Sequence, residues 1–229
     1  MHKHVNRTVE SLLKELVQLN DQETLIATDP KNLTETQKKK YLKALSIITG
    51  KRDESPKGRT CTHGRKHRHW GNKVESASHT SPTSHTDLVL LTSVADACEE
   101  RFVGVDDAKG AHLNAEFDEF LLIIFERGHV DVMCNVEEEH RKHIVNENGK
   151  GVLHLVLSKA LHCCVQSALL WCKILSSLLI NIGFELNPCD LCVANKNIDG
   201  SQCTIVHHVD DNKISHKKIE AVKYIVDEL

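Results

Sequence analysis

Three aspartates are the residues whose type and placement suggest chemistry. Asp210 and Asp211 stand side by side in QCTIVHHVDDNKISH, between two short runs that each suit a strand. Asp107 ends another short apolar run, FVGVDD, about a hundred residues upstream. Adjacent acids in a turn ordinarily favour the turn and meet water. A third carboxylate on a neighbouring strand changes the expectation, because carboxylates held close repel one another unless divalent cations sit among them. Short side chains with hard oxygens, and open positions for phosphate oxygens, describe a site for Mg²⁺ or Mn²⁺. Two such ions can activate a hydroxyl and stabilise a pyrophosphate leaving group in an in-line displacement.

The elements that must position these residues follow from periodicity. Apolar residues at 5, 9, 12, 13, 16 and 17 predict a helix over residues 5–19. DPKNLTETQKKKYLKALSII predicts a second, with Thr34 and Gln37 spaced as a capping box. The polar, apolar-poor stretch TGKRDESPKGRTCTHGRKHRHWGNK is expected to be a loop or a loose basic hairpin. A helix is expected after Pro82, then strands at RFVGVDD and FLLIIFE, and a hairpin turning at Asn148-Gly149. Residues 159–182 read as a long helix stopped by Gly183. Two further turns, at Asp199-Gly200 and at Asp210-Asp211-Asn212, complete an antiparallel meander. The fold class is therefore α+β with an antiparallel sheet.

Composition narrows the function classes. A net charge of -3 argues against a surface built throughout to hold nucleic acid. The charge is nevertheless uneven, with eleven Lys or Arg between Lys38 and Arg68 against Asp53 and Glu54, and an acid-rich stretch from Glu99 to Glu139. Such a split suits a polyanion on one side and metal ions on the other, or simply two solvated faces. The nine cysteines follow an amphipathic start, MHKHVNRTVESLLKELVQL, that is no secretory leader. Reduced thiols in an intracellular compartment, cytoplasmic or nuclear, are expected. The longest apolar region, SALLWCKILSSLLINIGF, is interrupted by Lys173 and serines, so no membrane span is expected.

Four blocks then point to one family. VDDAKGAHLNAEFDE resembles the DVKGAFLNG motif of copia-type retrotransposon reverse transcriptases, and SKALHCCVQSALLW resembles their KALYGLKQAPRAW. GFELNPCDLCVANK is similar to their GF-x-S-x-x-D-x-C-V run, and HHVDDNKISH to their YVDD hairpin. The blocks occur in the family's order over residues 57–216. The resemblance implies reverse-transcriptase-like fingers and palm over 53–229, with the palm core at 101–119 and 160–216, behind an N-terminal helical region over 1–52. It implies an RNA-directed DNA polymerase using Mg²⁺ or Mn²⁺, with RNA or DNA primer–template and dNTPs as partners. By position, Asp107, Asp210 and Asp211 match the metal-binding catalytic aspartates, and the Ala108 carbonyl an added ligand. Gln166 matches the glutamine near the nucleotide site, His112 the residue against the sugar, and Lys57 and Arg59 the cations that meet triphosphate.

Several positions depart from the family pattern. His208 stands where YVDD has tyrosine, His112 where the first motif has Phe or Tyr, His162 where the third has tyrosine, and Cys163 where it has glycine. Imidazole at 112 is smaller and more polar than the ring that excludes a 2′-hydroxyl. Sixteen histidines against two tyrosines suit a degenerate copy in which fold and aspartates survive. After the palm block the sequence continues only with KKIEAVKYIVDEL, so a thumb is expected to be missing, or to come from a larger polyprotein or a partner. The alternatives are an inactive remnant acting as a nucleic-acid-binding module, and a zinc-binding module. For zinc, Cys189 and Cys192 with His207 and His208 lack the usual spacing, while Cys61, His63, His67 and His69 form a denser cluster in the basic loop.

Overall fold

A computed structural model describes residues 2–50, 55–62, 86–162, 164 and 166–229, and shows an α+β protein of two compact units. The units interleave along the chain: one takes Met1–Ala77 and His112–Ser167, the other Ser78–Ala111 and Ala168–Leu229.

The first unit is a six-stranded sheet with helices. Its strands are β1 (Leu25–Ala27), β2 (Tyr41–Gly50), β3 (Pro56–Thr62), β5 (Leu122–Glu126), β6 (Ile144–Glu147) and β7 (Lys150–Leu157). They run in the order β1-β7-β5-β2-β3, with β6 also on β7, and β2 and β5 are parallel while the other pairs are antiparallel. The β6–β7 turn is the expected Asn148-Gly149, with φ of 52 and 77° at the two residues, as a type I′ hairpin demands. Helix α1 (His2–Asp21) forms where expected and buries Leu16 and Leu19 completely, while Val9, Leu13 and Val17 of the apolar pattern stay exposed. It also closes the edge of β3. Gly58 N–H donates to Ser11 Oγ at 2.6 Å and Thr60 N–H to Glu15 Oε1 at 3.3 Å. Ladder groups that would otherwise face solvent are thus satisfied by one helix face.

Two helical expectations fail here for stated reasons. The capping box of Thr34 and Gln37 forms, but helix α2 spans only Glu35–Lys39. From Tyr41 the chain is strand, because Tyr41, Leu42 and Lys43 pair with Leu122, Ile123 and Ile124, burying Leu42. Residues 1–52 therefore hold β1 and β2 beside their helices. The long helix expected from 159 also starts late. Lys159 bridges Glu116, and Ala160 N–H donates to the Ala115 carbonyl, so this stretch runs extended. Helix α4 (Gly128–Val136), after β5, has no counterpart in the sequence reading.

The second unit is a five-stranded antiparallel sheet in the order β4-β11-β10-β9-β8. The strands are β4 (Phe102–Asp107), β8 (Glu185–Asn187), β9 (Asp190–Ile198), β10 (Ser201–His208) and β11 (Asp211–His216). On one face lie α5 (Ser167–Asn181) and α6 (Ile219–Glu228). The core joins Trp171, Leu175 and Leu179, one stripe of α5, to Ala194, Cys203, Ile205 and Ile214 of the sheet and Val222 and Ile225 of α6. Helix α3 (Thr86–Cys98) contacts the opposite face through Lys213. Among the described residues no helix is long and apolar enough to cross a membrane.

Candidate functional site

The candidate site is the end of the second unit's sheet where β4, β10 and β11 finish or turn. Strand β4 carries Phe102, Val103 and Val105, aromatic or β-branched residues that favour strand, until it reaches Asp106 and Asp107. It lies antiparallel to β11 in a register that sets Asp107 directly opposite Asp211. His208 is in turn opposite Asp211 across the β10–β11 hairpin. Asp107, Asp211 and His208 thus form one row on one face, and all three are exposed. Directly opposed residues of an antiparallel pair have Cβ atoms roughly 4.5–5.5 Å apart, and like charges so placed destabilise the sheet.

The hairpin turns one residue earlier than its aspartates suggest. Its two central residues are Val209 and Asp210, while Asp211 already belongs to β11. Val209 has φ of 58°, a left-handed backbone that costs a non-glycine residue about 1–2 kcal/mol and suits a β-branched one least. Two contacts hold the turn against that cost. Trp171 Nε1 donates to the Val209 carbonyl at 2.6 Å, and Ala108 N–H to the Asp210 carbonyl at 2.9 Å. Trp171 is buried in the core, and its indole nitrogen also fixes the aspartate turn. No spacing rule marks that second role. The Ala108 carbonyl accepts from Ala111 N–H at 3.1 Å and so closes the turn that follows β4.

One step behind the exposed row is a more buried one: His207 lies opposite Asn212, and Asn212 opposite Asp106. His207 is 2% exposed, and its Nε2 meets the Leu191 carbonyl at 3.3 Å. Burial pushes its pKa below the ordinary histidine value. Asn212 is 1% exposed, and neither its Oδ1 nor its Nδ2 has a hydrogen-bond partner among the described residues.

The other expected site residues belong to the first unit. Lys57 and Arg59 are exposed on β3, opposite Thr49 and Ile47 of β2. Gln166 is buried, and its Nε2 donates to Asp118 Oδ1 at 2.8 Å. His112 packs edge-on against His162, with ring centroids 5.0 Å apart. Two of the histidines that replace expected aromatic residues therefore contact each other. Of the basic stretch, Lys38 pairs with Glu35 at 2.8 Å and Lys43 with Glu126 at 2.6 Å. Arg52, Arg65, Lys66, Arg68, His63, His67, His69 and Cys163 lie outside the described residues.

Among the described residues no group of three His, Cys, Asp or Glu side chains is gathered to hold a metal ion. Asp107 and Asp211 are instead a pair of opposed, solvent-facing carboxylates. That donor set suits Mg²⁺, which keeps several waters and needs only one or two carboxylates beside substrate phosphates. Cys192 is fully buried while Cys189 is exposed, and burial raises the Cys192 thiol to about 12. No protein-family model matches the chain, and no curated protein matches it.

Proposed function

We propose that the chain is the fingers and palm of a copia-type retrotransposon reverse transcriptase. In this reading the second unit is the palm, and Asp107, Asp210 and Asp211 serve two-metal nucleotidyl transfer. One observation carries the reading: the register that opposes Asp107 to Asp211 beside a strained, clamped Val209-Asp210 turn. A β-branched residue held at positive φ costs stability, and a turn kept in spite of that cost is a reason to look for function there. The four ordered sequence blocks supply the family, and the α+β class with an antiparallel sheet agrees with them.

When bound, Mg²⁺ or Mn²⁺ would lower the pKa of a primer hydroxyl and neutralise charge on a departing pyrophosphate. The chain's own part is positional. Asp107 and Asp211 present carboxylates from adjacent strands, and Asp210 sits at a turn whose backbone is tied to both β4 and α5. In this reading Lys57 and Arg59 offer exposed cations to triphosphate, Gln166 and His112 belong to the nucleotide's surroundings, and primer–template and dNTPs are the partners. Primer extension on a homopolymeric RNA template tests this, with Asp210→Asn and Asp211→Asn as controls. The expected result is metal-dependent incorporation that falls by at least about a hundredfold in either control. A folded protein that incorporates nothing would leave only ancestry.

A second reading, a remnant that binds nucleic acid without turnover, is favoured by Asn212. A buried carboxamide with no hydrogen-bond partner among the described residues, directly behind the aspartates, is a defect that native sheets seldom keep. Primer–template binding that is indifferent to metal would decide for it.

A further inference from the structure

Helix α3 sits on the sheet in an unusual way. Its only buried residue is a charged one, Asp96, while Leu90, Leu91 and Val94 are 64%, 62% and 53% exposed. Between it and the sheet is an open cleft of about 390 Å³. Leu88, Thr92 and Ala95 line it from the helix, and Val193, Asn195 and Thr204 from the sheet. Helices are normally held by an apolar face packed dry against its neighbour. Here Leu90, Leu91 and Val94 point outward, and the open cleft lies where packing is expected.

Charge holds the helix instead. Asp96 Oδ2 lies 2.6 Å from Lys213 Nζ, and Asp96 Oδ1 3.5 Å from Arg101 Nη1. Lys213 Nζ also donates to Thr92 Oγ1 at 3.2 Å and Ser93 Oγ at 3.1 Å. Arg101 anchors the far end, bonding the Gln202 carbonyl and approaching Ser215 Oγ at 3.5 Å. Lys213 lies two residues beyond Asp211 on β11, and so on the face that bears Asp211 and Asp107. Between α3 and β4, Glu100 has φ of 52°, a sharp turn at the base of the helix.

We infer that α3 is a charge-latched strap over the aspartate-bearing face of the five-stranded sheet, lifting as a unit about Glu100 while the sheet stays folded. Elements with little apolar burial open at a lower cost than the global core. Removing one partner of a buried ion pair leaves the other uncompensated, so the latch is the point at which opening is controlled. The lifting does not depend on the polymerase reading; its consequence does, because an open strap would give a primer–template more of the aspartate face.

Hydrogen exchange of the full chain, read by mass spectrometry, tests the strap. In Lys213→Met, amides of residues 86–98 should exchange at least about tenfold faster while those of 201–208 keep their rates. Equal acceleration of both segments would show that α3 unfolds only with the sheet, and no acceleration would show that the ion pair is no latch. Either result overturns the proposal. Should the variant not fold, the unmodified protein in rising, sub-denaturing urea still discriminates. A strap gives α3 a faster exchange with a shallower urea dependence than β10, whereas one common slope and rate rules it out.

Discussion

Asn212 shows what a single side chain can cost at this site. It lies on the sheet face shared with Ile214, beneath the helices, with both polar atoms unpartnered among the described residues. Each buried orphan group costs roughly 1–3 kcal/mol, because water is lost and nothing replaces it. Leucine has nearly the same shape and no polar atoms. Asn212→Leu is therefore expected to stabilise the protein by about 1–3 kcal/mol, read as a higher denaturant midpoint at unchanged slope. An unchanged midpoint would mean that the carboxamide is satisfied in solution. The sequence shows Asn212 beside the aspartates but not which face it takes. One residue's difference in where the hairpin turns decides that: with the turn at Val209-Asp210, Asn212 points inward.

At the scale of elements, β4 and α6 fit tightly against each other. A Cβ at Gly104 would sit 2.6 Å from Val222 Cγ1, below any normal contact. Strand β4, which carries Asp107, can lie this close to the helix only because position 104 has no side chain. Gly104→Ala should therefore destabilise by about 1–3 kcal/mol, despite alanine's better backbone entropy, and adding Val222→Ala should recover part of the loss. Additive losses in the double variant would place the cost elsewhere. Elements of this kind were readable in the sequence where local and tertiary preferences agree. The three hairpins in β6–β7, β9–β10 and β10–β11, helix α1, and strands β4 and β5 satisfy both, while α3 forms on its local signal with Leu90, Leu91 and Val94 left exposed. The reading failed where they conflict. LKALSII after α2 has helical spacing, yet pairing with β5 and β3 takes it as strand. Residues 159–162 look helical, yet are drawn into contact with Ala115 and Glu116. The opposition of Asp107 to Asp211 was expected only as proximity, since register depends on both strands at once.

Across the whole molecule, each unit closes its own sheet from two separated stretches of chain, and nothing in local periodicity signals that interleaving. It has a consequence for stability. The core of the second unit is assembled late in the sequence and includes two thiols that burial holds protonated: Cys192, raised to about 12, and Cys203, raised to about 11, against an ordinary 9.0. For groups whose folded pKa is raised, the favourable contribution is complete below the unfolded value and is lost as pH climbs through the folded one. Both thiols stay neutral in either state up to about pH 8, so they leave stability flat there. Above it the unfolded chain ionises first, and stability should fall steadily toward about pH 11–12, where the folded thiols follow. Urea midpoints measured from neutral pH to about pH 11 check this, alongside Cys192→Ala and Cys203→Ala. Each variant loses stability at every pH through the cavity it opens, so the informative quantity is the slope above pH 9. A shallower slope in both variants assigns the alkaline loss to these two buried thiols. An unchanged slope assigns it to lysine and tyrosine ionisation elsewhere, and would mean that the second unit's core opens to hydroxide more readily than its burial indicates.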